Sequence, residues 1–241
     1  MVDFFKRNAP VLIIGIVTLL IFVAIIALSQ GRVGPRPALE KVDQKSLITS
    51  TTQTQGNANA PVTIVEFGDF QCPGCAFFFP YLENYYKDNK DTVRIAFRNF
   101  PLPMHTNAHR AAEAAVVAAK YGKFWEYAGT LFSNQENLER SDLIKYASQV
   151  GMDAAAFTKD LDSGASVATV EEDVKAGNDL GINSTPTIYV NGEKLFFTTF
   201  DDLTKQIDQA INAARKPGDQ QSTPTTTVPT TAPTPSSNSG Y

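Results

Sequence analysis

Phe67-Gly68-Asp69-Phe70-Gln71-Cys72-Pro73-Gly74-Cys75 holds the only two cysteines of a 241-residue chain, with just Pro73 and Gly74 between them. An apolar run, Val62 to Phe67, leads into this stretch. Ala76, Phe77, Phe78, Phe79, Tyr81, Leu82, Tyr85 and Tyr86 follow it and read as one buried helix. The predicted order is therefore strand, short polar turn, cysteine pair, helix. With Cys72 as N-cap and Pro73 at the first helical position, where a missing N–H is no loss, the free N–H groups of Gly74 and Cys75 point at the Cys72 sulfur. Those donors and the positive end of the helix dipole favour a thiolate. Cys72 is thus expected to have a lowered pKa and to be the attacking or attacked sulfur. Cys75, one turn further in, is expected to be shielded and less acidic, suited to closing or reopening a disulfide with Cys72.

Working outward, Val62 to Phe67 is apolar on both faces except at Glu66, as in a central strand covered on each side. Glu66 shares the face of Val62 and Ile64, and burial there would raise its pKa. Pro80 removes one hydrogen bond from the helix after Cys75. Val93 to Phe97 forms a second strand, parallel to the first if the helix between them is a crossover. From Thr106 to Gly181 the pattern is helical. An Ala-rich helix runs from Asn107 to Lys120, and a second carries Phe124, Trp125, Tyr127, Leu131 and Phe132. Ser141 caps a third, Asp153 caps a fourth, and a fifth runs from Ser166 to Leu180 with Gly181 as its stop. Ile188 to Phe197 reads as a hairpin turning at Asn191-Gly192 in a type I′ turn. Leu203, Ile207, Ile211 and Ala214 mark the inner face of a last helix.

The ends differ from this core. Residues 11–28 are an uncharged apolar run of a length that suits a bilayer span, expected as an uncleaved anchor, with removal as a signal segment the alternative. Residues 1–10 would then be a short cytoplasmic N-terminus and residues 29–59 a polar linker. The folded domain is expected over residues 60–216, with a helical insertion over 105–181. The Pro-, Thr- and Ser-rich residues 217–241 read as a disordered tail. The net charge of −4 and pI near 5.2 argue against a nucleic-acid partner, which calls for a basic patch. A cysteine pair makes most sense where disulfides persist, so the domain is expected outside the cytoplasm on a single-pass membrane protein.

Taken together, Glu66-Phe67, Asp69 to Cys75 and Ser184-Thr185-Pro186-Thr187 make residues 58–215 resemble the DsbA-like branch of the thioredoxin superfamily. Phe124-Trp125 after the Ala-rich helix is similar to that branch as well. The resemblance implies an α/β thioredoxin fold with an inserted helical domain, and a cis peptide at Thr185-Pro186 that presents the Thr185 backbone to a substrate segment. It also implies a buried acid, Glu66, that exchanges protons with Cys75. No cofactor beyond the Cys72–Cys75 disulfide is implied. The implied activity is disulfide formation in reduced, unfolded exported proteins. Reoxidation would come from a membrane quinone reductase of the DsbB or vitamin K epoxide reductase type. One departure bears on direction: the strongly oxidising relatives carry a histidine where this chain has Gly74. Reductase or isomerase activity therefore stays open, as does a tethered peptide-binding or chaperone module without redox turnover.

Zinc is the competing use of the cysteines, since His105 and His109 would complete four N and S ligands. The 29 residues between Cys75 and His105 exceed the spacing of about 12 to 15 usual in fingers, and a helix opened by proline is redox-like. No metal ligand is assigned. Asp69 is expected to shape the turn before Cys72 through local hydrogen bonds.

Overall fold

The computed structural model describes residues 18–22, 24 and 41–214. Its elements in chain order are α1 (Gln44–Leu47), β1 (Gln53–Gln55), β2 (Val62–Gly68), α2 (Pro73–Asp88) and β3 (Val93–Asn99). Then come α3 (Ala108–Lys120), α4 (Phe124–Phe132), α5 (Arg140–Gln149), α6 (Ala154–Asp162) and α7 (Val167–Asp179). β4 (Thr187–Val190), β5 (Glu193–Lys194) and α8 (Phe200–Ala214) complete the set. The sheet order is β1-β3-β2-β4-β5. β2 pairs parallel with β3, as expected of a crossover through α2, and antiparallel with β4.

Every residue of β2 is buried, so the strand is apolar on both sides and central. One face packs Val62 and Ile64 with Phe78 and Leu82 of α2 and with Leu203, Ile207 and Ile211 of α8. The other packs Val65 and Phe67 with Leu47, Ala96, Phe100, Ile182 and Tyr189. A third cluster fills the helical block α3–α7 and continues through Phe70, Phe79 and Phe97 to both cysteines. The inserted helices therefore share a core with the end of the sheet where the chemistry lies.

A buried ion pair fastens the block to β3. Arg98 Nε donates to Asp173 Oδ1 at 2.7 Å, and Asn99 donates to Asp173 Oδ2 from its backbone N and its Nδ2 at 2.9 and 3.0 Å. Arg98 Nη1 reaches the Ser46 carbonyl at 3.2 Å, tying in α1 as well.

Three expectations need adjustment. Residues 41–59, assigned to the linker from sequence, are part of the fold: Leu47 is fully buried, Asp43 caps α1, and β1 pairs antiparallel with β3. Gln53-Thr54-Gln55 has no apolar alternation to signal a strand, and its place comes from the open edge of β3. The third inserted helix starts at Arg140 with Glu139 as N-cap, which puts Ser141 inside it. The hairpin turns at Asn191 (φ 51°) and Gly192 (φ 84°) as expected, but its second strand ends at Lys194. A Cβ on Gly192 would lie 2.4 Å from the Val42 carbonyl oxygen, so glycine is needed there for close approach as well as for φ.

The expected tail lies outside the described residues. So does the expected span over 11–28, apart from residues 18–22 and 24, which are helical with exposed side chains and belong to a separate unit, residues 1–39. Among the described residues no helix is long and apolar enough to cross a membrane.

Candidate active site

The start of α2 keeps the N-cap and proline positions read from its sequence, but the Cys72 sulfur makes no capping hydrogen bond to the N–H groups that follow it. Cys72 is the N-cap with extended backbone (φ −77°, ψ 120°), and Pro73 sits in the first turn. The Cys72 carbonyl accepts the first helical bond, from Ala76 N at 3.1 Å. Both cysteines are free thiols, so this is the reduced dithiol form. Cys72 keeps 7% of its surface exposed and Cys75 none, so only the first sulfur can meet another protein.

The Thr185-Pro186 peptide is cis, and the Cys72 thiol donates to the Thr185 carbonyl at 3.2 Å. A Cβ on Gly74 would lie 3.0 Å from Pro186 Cδ and 3.6 Å from Cys72 Sγ. Glycine at that position leaves room between the proline ring and the sulfur. Glu66 is fully buried behind the cysteines. Neither of its oxygens has a hydrogen-bond partner at good geometry, although the Cys75 thiol lies near enough to favour the ionised form somewhat.

These placements push the three titrating groups apart. The hydrogen bond from the Cys75 side chain is the largest influence on Cys72. Burial opposes it, and the nearby Thr185 side chain and N–H groups of Cys75 and Gly74 add to it without forming a capping hydrogen bond, so the Cys72 pKa falls to about 5. Burial first, then the bond to Cys72 and the charge of Glu66, hold Cys75 well above the ordinary thiol range. Burial pushes Glu66 up to about 8, with the charge of Cys72 adding to the rise. The result is an acidic, reachable sulfur, a protonated inner sulfur, and a carboxyl group poised to gain or lose a proton near neutrality.

The loop before the helix is pinned from several sides. Asp69 Oδ1 accepts from Gln71 N at 2.7 Å, the turn-shaping bond expected of it. Its Oδ2 accepts from Leu102 N and meets His105 Nδ1, both at 2.7 Å. Gln71 Oε1 accepts from Asn107 N at 2.6 Å. Gln135 Nε2 donates to the carbonyls of Phe70 and Cys72 at 2.8 and 2.9 Å. The Phe70 ring packs on Phe97 and Phe132, with centroids 5.4 and 4.8 Å away.

Glu66, Cys72, Pro73, Gly74, Cys75, Thr185 and Pro186 thus lie together around the start of α2. The histidines are engaged with acids: His105 with Asp69, and His109 with Glu113 and Glu171 at 2.9 and 2.8 Å. Among the described residues no group of three or more His, Cys, Asp or Glu side chains is placed to hold a metal ion. Gln135 escaped sequence reading, because it lies 63 residues from Cys72 in a turn with no motif of its own.

The known proteins similar to this chain fit that geometry. The family described as Thioredoxin matches residues 48–209. BdbD from Bacillus subtilis, in its oxidised crystal structure, superposes with a TM-score of 0.60 at 26% identity, over 73% of this chain and 97% of that one. The thiol-disulfide exchange protein alpha-DsbA2 from Wolbachia pipientis superposes with a TM-score of 0.61 over 69% of this chain and 90% of its own. At 19% identity it supports the fold alone. The Na(+)/H(+) antiporter NhaA 1 of Mycolicibacterium gilvum is 36% identical over 143 residues, which are 58% of this chain and only 23% of the antiporter. So small a share of a transporter does not carry its transport activity over. Fold, cysteine helix and family match agree: the chain belongs to the thioredoxin family.

Proposed function

We propose that this protein is an extracytoplasmic, membrane-tethered thiol:disulfide oxidoreductase that forms disulfides in exported proteins. The observation carrying this reading is the split between the two sulfurs: Cys72 is acidic and reachable, while Cys75 is buried and kept protonated beside a carboxyl group whose own pKa lies near 8.

In the oxidised enzyme, a substrate thiolate attacks Cys72 Sγ. The Cys72–Cys75 bond breaks, a mixed disulfide forms between substrate and Cys72, and the electron pair leaves on Cys75, which takes a proton from Glu66. A second substrate thiolate then attacks the substrate sulfur of the mixed disulfide and expels Cys72 as the thiolate. The substrate has lost two electrons and the enzyme holds a dithiol, the form seen here. Expulsion of Cys72 is eased by the same donors that lower its pKa, because a more acidic thiol is a better leaving group. The dithiol must then pass its electrons on, and the proposed acceptor is a membrane quinone reductase of the DsbB or vitamin K epoxide reductase type.

The substrate contributes an extended segment around its cysteine. The Thr185 backbone beside Cys72 suits short strand-like pairing that reads little of the side-chain sequence. Broad protein specificity follows.

The test is to equilibrate the full chain with glutathione buffers and to offer it a reduced, unfolded test protein. An oxidising poise with stoichiometric disulfide transfer supports the assignment, and a strongly reducing poise assigns the opposite direction. Retention of full effect on the client after Cys72→Ser and Cys75→Ser would mean a binding module without redox turnover.

A further inference from the structure

Gln135 stands in the turn between α4 and α5, and both hydrogens of its side-chain amide are used on the active-site loop, on the carbonyls of Phe70 and Cys72. The Cys72 carbonyl also receives Ala76 N–H at 3.1 Å, so the peptide plane after Cys72 is held from two directions. The turn that offers the amide is itself fixed. Asn134 Nδ2 donates to the Thr130 carbonyl at 2.8 Å, Asn137 N to the Asn134 carbonyl at 2.9 Å, and the Tyr146 hydroxyl to the Asn137 carbonyl at 2.9 Å. Phe132, just before the turn, packs on Phe70.

We propose that Gln135 is a positioning residue for thiol–disulfide exchange, holding residues 70–72 at the backbone angles that set the Cys72 sulfur against the first turn of α2 and the Thr185 carbonyl. The inference rests on the exchange reading above. The Cys72 sulfur makes no capping hydrogen bond, donates to the Thr185 carbonyl at 3.2 Å and lies 3.6 Å from where a Gly74 Cβ would stand, and the influence of the neighbouring N–H groups on it falls off once that placement is lost. The direction of the sulfur depends on the backbone angles of Cys72, and the carbonyl that reports those angles is the one Gln135 grips. With the amide removed, that carbonyl keeps only its helical partner at the first turn, where a helix has fewest internal bonds. Gln135 touches no substrate and acts through the backbone.

The test compares the full-length reduced protein with Gln135→Met, which keeps length and bulk but has no donor, and with Gln135→Glu, which faces two carbonyls with an acceptor. Each is titrated by thiolate ultraviolet absorbance, equilibrated with glutathione, and melted. Phe132→Leu is the control, since it thins the packing on Phe70 while leaving both Gln135 bonds. The expected result is a Cys72 midpoint raised by about 0.5–1 pH unit in Gln135→Met, with a less oxidising pair, and a larger rise in Gln135→Glu. Phe132→Leu is expected to melt earlier with its midpoint unmoved. Either Gln135 variant decides alone if the other does not fold. A Gln135 variant that titrates like wild type overturns the proposal, and so does a Phe132→Leu shift as large as that of Gln135→Met, which would mean general loosening. An ordinary Cys72 in the wild-type chain is a separate result that overturns the exchange reading itself and this inference with it.

Discussion

Cys72 and Glu66 occupy one small volume and are pushed in opposite directions, which gives each a distinct dependence on pH. Folding lowers the Cys72 pKa from 9.0 to about 5, so the reduced protein gains stability from its thiolate as pH rises between those values. That gain is complete above the unfolded pKa and is lost as pH falls through about 5. Alkylation of the folded, reduced chain with iodoacetamide is expected to have its midpoint near pH 5 at Cys72, with Cys75 unlabelled until the protein unfolds. Mass spectrometry of the labelled peptides reads this directly, and equal labelling of both sulfurs at neutral pH would contradict it. Glu66 behaves inversely. Burial raises its pKa from 4.5 to about 8, so the wild type loses stability as pH climbs through that window, where the carboxyl group ionises in the unfolded chain while the buried one keeps its proton. Glu66→Gln is expected to be more stable than wild type by on the order of 3 kcal/mol at pH 8 and nearly equal to it at pH 4, as measured by urea unfolding at the two pH values. The same variant should slow reduction of the Cys72–Cys75 disulfide by about 100-fold, because Cys75 then leaves without a proton donor.

At the scale of elements, two connections decide where the helical block sits, and they differ in how legible they were. The start of α2 was readable because Cys72, Pro73, Gly74 and Cys75 act on their own backbone, and N-cap and first-turn preferences need nothing from elsewhere. The caps at Asp153 and Gly181 were readable for the same reason. The docking of α7 on β3 was not. It depends on Arg98 meeting Asp173, 75 residues away, and each alone reads as an ordinary charged residue. Arg98 is fully buried, and removing its partner would strand a charge in the core. Asp173→Ala is therefore expected to destabilise the protein by about 3–5 kcal/mol, seen as an earlier urea midpoint, and to loosen protection of α7 amides in hydrogen exchange before the rest of the sheet is affected.

For the molecule as a whole, the thioredoxin core was legible as an order of elements, while its true amino-terminal limit was not. β1 is three polar residues and α1 a single turn, too short for periodicity to register, yet together they cover one sheet face and one sheet edge. Leu47 shows how much depends on them, being fully buried among Val65, Phe67 and Tyr189. Leu47→Ala is expected to lose about 2–5 kcal/mol. A fragment starting at residue 60, the boundary suggested by the sequence, should melt well below one starting at residue 41, with calorimetry giving both comparisons. The outermost strands have a further consequence. One side of the sheet ends in β1, three residues long, and the other in β5, two residues long, where Lys41 bridges to Glu193 through both backbone and side chain. Short, polar, partly occupied margins give an incoming chain little ladder on which to grow. An oxidoreductase acting on unfolded polypeptides, as proposed above, would thereby be a poor template for their aggregation.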